Sequence, residues 1–269
     1  MMFFLNSESF AGGGWTRKPQ SVYTKLGYSF VSTNQFSTIE DVKIETAPFF
    51  LRSFDLFVEY GLIDQLTLQV NFPLLRSANF ETTETASGIG DLLLELKYGL
   101  IQGDFPVAIG FGIDMPTGDS EAIGRLKDGS GGFVRLPTGD GEWNFWTRLY
   151  ASHSFYPLPA YISIDVGYNF RTNGFTNQYT VGVEVGYQFF DALWLIGRFR
   201  RIALNGTPNF AKSGAIGLGE GVEFNALGVS ASYAITRNFS LTADVIGGFG
   251  TLKNIYAAPS FGIGFSFEI

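Results

Sequence analysis

The side chains most able to do chemistry in this chain are charged residues spaced two apart inside apolar and glycine-rich runs. Asp91, Glu95 and Lys97 alternate with Leu92, Leu94, Leu96 and Tyr98. The same setting surrounds Lys25, Asp55, Glu59, Asp114, Glu142, Arg148, Asp165, Arg171, Glu184, Arg198, Arg200 and Asp244. Two residues is the repeat of a β-strand, whose successive side chains point to opposite faces. These charges therefore share one face, with an apolar face behind them. Enclosed charges of both signs should pair, because an unpaired buried charge is costly. The same set could select solutes by charge. Arg148, Arg171, Arg198 and Arg200 offer planar forks for an anionic solute, or for Glu142, Asp165 and Glu184.

Other chemistries fit less well. Pro-Thr-Gly-Asp occurs at 116–119 and at 137–140, a turn signal bracketing a long link. Asp114, Asp119, Asp128, Asp140 and Glu142 could hold a hard cation, but no EF-hand spacing is present. No metal site or cofactor is expected. Cysteine is absent, which excludes disulfides and thiolate chemistry. The single histidine lies in Ser152-His153-Ser154. An outer-membrane phospholipase uses a His/Ser pair, but neighbours along a strand face opposite ways, so His153 cannot readily serve as base to either serine. The His-x-Ser-x-Gly pattern of that enzyme is also missing, and no catalytic residue is expected.

The elements that must carry these charges are strands. Apolar residues make up 45% of the 269-residue chain and charged ones 16%, below the roughly 25% usual for soluble domains. Mean hydropathy is +0.13. No apolar run reaches the roughly 18 residues of a membrane helix. The net charge of -7 and the lack of a basic tract argue against a nucleic-acid partner. Alternation predicts strands near 21–31, 48–60, 66–75, 89–101, 106–115, 141–153, 160–171, 178–189, 192–203, 221–234, 239–250 and 256–268. The phase slips around Phe224–Val229, where a bulge is expected, and near Phe49–Arg52.

Short turns at 61–65, 102–105, 190–191 and 235–238 alternate with links at 32–47, 76–88, 116–140, 172–177, 204–220 and 251–255. Long strands, alternating link lengths, and Tyr60, Tyr98, Tyr187 and Tyr233 at one end fit a bacterial outer-membrane barrel with periplasmic short turns. The fold class is therefore all-β: a transmembrane, antiparallel, up-and-down barrel of about 12 strands over residues 21–269. An even count puts both termini at the short-turn end. Glycine, 34 residues, suits a crowded interior. Outward Gly197 and Gly247 mark thin places in the wall. Residues 1–20 read either as a tail, disordered or resting in the lumen, or as a signal-peptide remnant cleaved before Gly12.

Three stretches then carry a resemblance: Phe57-Val58-Glu59-Tyr60-Gly61-Leu62-Ile63-Asp64-Gln65-Leu66, Gly88-Ile89-Gly90-Asp91-Leu92-Leu93-Leu94-Glu95-Leu96-Lys97-Tyr98 and Ile113-Asp114-Met115-Pro116-Thr117-Gly118-Asp119. With Leu136-Pro137-Thr138-Gly139-Asp140-Gly141-Glu142-Trp143, the chain resembles the outer-membrane transporter family named for the phenol-degradation meta (MetA) pathway. The resemblance implies passage of small, often hydrophobic, molecules across the outer membrane. Phe261, Ile263, Phe265, Phe267 and Ile269 resemble the terminal-strand signal read by the barrel assembly machinery, although the usual last residue is aromatic. The expected partners are outer-membrane lipid, that machinery and a small-molecule solute. A passive transporter is the first expectation; a non-conducting structural barrel is the alternative, and a lipid-active enzyme the third.

Overall fold

The computed structural model describes residues 13–209, 219–256 and 258–269. Its strands are β1 (Val22–Ser37), β2 (Lys43–Ile63), β3 (Leu66–Phe80), β4 (Ala86–Gly88), β5 (Leu92–Ile101), β6 (Val107–Met115), β7 (Ile123–Arg125) and β8 (Phe133–Arg135). They continue as β9 (Asn144–Ser154), β10 (Ala160–Arg171), β11 (Gln178–Phe189), β12 (Leu193–Leu204), β13 (Glu223–Ala234), β14 (Phe239–Lys253), β15 (Ile255–Tyr256) and β16 (Ser260–Glu268). Twelve of them, all but β4, β7, β8 and β15, pair antiparallel in a closed ring, β1 meeting both β2 and β16. Closure leaves no edge strand to aggregate. Val22 and Ile269 exchange backbone bonds of 2.9 and 3.0 Å, so the first and last barrel strands end together at the short-turn rim.

The side-chain alternation that predicted the strands decides which face is enclosed. On β9, Asn144, Trp146, Arg148, Tyr150 and Ser152 are buried, while Phe145, Thr147, Leu149 and Ala151 between them are exposed. An isolated barrel buries its inner face and exposes its apolar outer face, which a bilayer would cover. Crowding inside explains the glycines. A side chain at Gly110 would collide with the Glu95 carboxylate, and one at Gly182 with Asp165. Glu95 and Asp165 have their room because the residue beside each has no Cβ.

Several expected boundaries shift toward the long-loop end. The link expected at 32–47 is mostly strand, since β1 and β2 continue pairing to Ser37 and Lys43. The link expected at 76–88 contains the end of β3 and all of β4, and the longest link contains the hairpin β7–β8. Conversely, residues 89–91 and 256–259 are not part of β5 and β16. The expected register shift falls between Phe224 and Asn225, but the extra residues are Gly250 and Thr251 on the partner β14. The irregularity expected near Phe49–Arg52 falls on either side of it, at Thr33/Gln35 and at Phe54/Asp55. At the second, Leu74 is the additional residue on β3, so the inward phase passes from Pro73 to Arg76.

Candidate functional site

The inner wall carries several groups of ion pairs. Glu59 accepts from Gln69 at 2.6 Å and faces Lys97 at 3.6 Å. Arg148 pairs with Glu95, which also accepts from Tyr150 at 2.5 Å, and the guanidinium stacks on Trp146 at 4.2 Å. Arg200 reaches Asp165 at 3.4 Å. Arg198 bonds Glu184 at 2.6 Å and approaches Asp244 at 3.6 Å, which in turn holds Lys25 at 3.0 Å. Asp55 accepts from Ser53 at 2.6 Å, and Asp114 is buried in register with Leu93 and Asn144. Every one of the four arginines singled out in the sequence lies against a carboxylate. Arg148 takes Glu95, a partner not among the three expected.

At the long-loop rim Arg171 bonds Glu142 through Nε at 2.7 Å and lies 3.8 Å from Asp140 and 3.7 Å from Glu220. Three carboxylates exceed the charge of one guanidinium, and burial pushes the Glu142 carboxyl up to about 7. Beside this cluster the two Pro-Thr-Gly-Asp turns stack directly. Asp91 accepts from the Gly118 and Asp140 amides, each at 2.9 Å, while the Asp119 amide donates to Thr138 at 2.9 Å. Arg76 completes the clamp with a 2.9 Å bond to the Thr138 carbonyl. The clamp turns the longest link inward, so that Leu136 is buried among Val31, Phe49, Leu51, Ala78, Phe80, Ala86 and Tyr256. A second apolar cluster, around Ile202, Phe224 and Leu252, lies at the same end on β12, β13 and β14, and its Ile255 adjoins Tyr256 of the first.

The short-turn mouth is occupied differently. Residues 13–18 enter the barrel without strand pairing. Lys97 donates to the Gly13 carbonyl at 3.3 Å, and the Gly14 amide donates to Ser152 at 2.8 Å. The Arg17 amide donates to Thr67 at 2.8 Å, and its guanidinium bonds Glu59 at 2.8 Å and Glu268 at 2.6 Å. Any side chain at Gly14 would collide with the Pro106 carbonyl, so this residue must be glycine for the segment to lie against the wall. Trp15 sets its ring edge on Tyr161 at 5.9 Å. Beside the segment a vestibule of about 910 Å³ opens at the short-turn rim. Tyr161 and Trp194 line one side, Ser232, Ser240 and Thr242 the other, and the Lys25/Arg198/Glu184/Asp244 network forms its inner end. The cleavage site considered before Gly12 lies outside the described residues.

The remaining chemistry does not assemble. Ser152 points inward to Ser163 at 2.7 Å, whereas His153 faces outward, stacked on Phe105 at 4.2 Å. Among the described residues no group of three or more His, Asp or Glu side chains is arranged to hold a metal. Arg17, Arg76 and Glu220 were missed in the sequence. Arg17 and Glu220 lie outside any alternating run, and the Leu74 bulge hides the inward phase of Arg76.

Solved structures share this architecture. A crystal structure of an outer-membrane channel from Pseudomonas putida F1 superposes with a TM-score of 0.66 at 14% identity, covering 95% of this chain and 97% of that one. The NanC porin gives 0.52 at 10% identity, covering 92% and 100%. A mutant of TodX, a monoaromatic hydrocarbon channel, gives 0.51 at 10% identity, covering 93% and 90%. The chain is an outer-membrane β-barrel. At these identities the likeness is one of fold. No family model matches the chain, and no curated protein matches it.

Proposed function

We propose that this barrel passes small molecules, hydrophobic ones included, passively across the outer membrane, and that residues 13–18 set how far its short-turn mouth is open. The vestibule carries this reading. It is wide, reaches the rim, and one flank is a segment held by a few hydrogen bonds and one arginine rather than by strand pairing. Its walls join aromatic faces to hydroxyls, and its charges nearly balance, Lys25, Arg198 and Arg237 against Glu184, Asp191, Asp244 and Glu268. Such a lining suits solutes of mixed polarity and gives weak charge selectivity. A hydrocarbon channel among the structural neighbours and the resemblance to the meta-pathway transporters point the same way. The lumen-facing charges would act by keeping the passage hydrated and in shape. The outward Phe261, Ile263 and Phe265 of β16 suit recognition by the assembly machinery. Liposomes holding the purified barrel should swell faster than empty ones when diluted into a small neutral solute; equal rates would overturn the reading.

The two apolar clusters at the long-loop end favour the alternative, a structural barrel closed on that side. In that case swelling would be absent for every solute tested.

A further inference from the structure

The outer wall is apolar along the barrel strands, with a local exception. Among the described residues, outward charges on the barrel strands are Arg52, Arg201, Glu223 and Lys253, together with Lys43 and Glu45 at the β1–β2 tip. Arg52 is covered by the Phe30 and Phe50 rings, 5.7 and 5.9 Å away. The other three form one group near the long-loop ends of β12, β13 and β14. Arg201 lies 3.2 Å from Glu223, and Lys253 lies 3.6 Å from the other oxygen of the same carboxylate. Arg201 also donates to Asn225 at 2.8 Å. The cations are 38% and 34% exposed and the carboxylate 13%, so the group shows the bilayer its positive side, with one charge in excess.

Below this group, toward the mid-plane, Phe199 and Phe249 lie 6.2 Å apart. Next to them the outward positions are glycines, Gly197 opposite Val229 and Gly247 opposite Leu227. Neither is demanded by packing: a Cβ at either would find its nearest neighbouring atom 4.0 Å away. The wall is thus thin where nothing inside the protein requires it, directly beneath two cations. We propose that Arg201 and Lys253 bind the phosphate of an outer-leaflet glycolipid, with acyl chains lying against the wall over Gly197 and Gly247, on either side of the exposed Leu227 and Val229. Long-loop ends face the cell exterior in this class of barrel, which places the group at headgroup height in that leaflet. Phosphate recognition follows from the arginine fork beside a second point charge.

The test is retention of lipid by the full chain in a neutral detergent, read by native mass spectrometry. The probes are bisphosphorylated lipid A, its dephosphorylated form, and phosphatidylglycerol. Wild-type barrel should retain bisphosphorylated lipid A at least tenfold better than either of the others. The double variant Arg201→Gln, Lys253→Gln should lose that advantage while keeping the heat-modifiable migration of a folded barrel. Gly247→Leu, which fills the open space over this position without touching a charge, should weaken retention about threefold or more. Glu223→Gln should retain at least as much as wild type. Equal retention of the dephosphorylated lipid, equal retention of phosphatidylglycerol, undiminished binding by the double variant, or a loss in Glu223→Gln would each overturn the proposal.

Discussion

Arg148 and Glu95 show what a single inward charge costs and returns. Both are about 1% exposed and paired, with Trp146 against the guanidinium and Tyr150 on the carboxylate. Removing one member strands the other in a low-dielectric interior. Arg148→Met should therefore destabilise the barrel by about 3 kcal/mol, seen as a lower urea midpoint of unfolding. Adding Glu95→Gln should recover part of that loss, and a double variant no better than the single would contradict the pairing account. At this scale the sequence was informative wherever alternation was unbroken. Lys97, Arg148, Glu184 and Arg198 were readable as inward because each sits in a regular run. Arg76 was not, because the one extra residue at Leu74 reverses the phase beyond it.

At the scale of elements, the rim clamp connects parts that the sequence presents separately. The Pro-Thr-Gly-Asp turns read as two independent corners, one leaving and one re-entering the barrel. Their contact, and the role of Asp91 in bridging the two amides, depends on three segments meeting in space. Hydrogen bonds to a charged acceptor contribute roughly 1.5–3 kcal/mol each. Asp91→Ala should therefore free the link between β6 and β9, and proteolytic cutting within 120–135 should quicken by about tenfold or more with the barrel intact. An unchanged cutting rate would mean that Leu136 and its apolar neighbours hold the link alone. The strand extensions were hidden for a related reason. Beyond Val31 and before Pro48 the paired residues are polar apart from Phe36, Ile44 and Ala47, so pairing continues where regular alternation of polarity stops.

At the scale of the molecule, the fold was legible because strand length, period and alternating link length all pointed to one closed barrel. The contents of the mouth were not. Gly13 to Lys18 carries no period, and its place is fixed by contacts with Lys97, Ser152, Thr67, Glu59 and Glu268, residues scattered over the whole chain. The proposed passage turns on this segment. Its hold rests on a glycine that must lie flat and on one arginine, so Gly14→Val with Arg17→Gln should release it while leaving every barrel strand paired. The most direct test is single-channel current through the folded wild type and this double variant in planar bilayers. The account predicts small or intermittent steps for wild type and larger, steady steps for the variant. Silence from both, in samples shown to be folded, would contradict it and leave a structural barrel closed at its long-loop end.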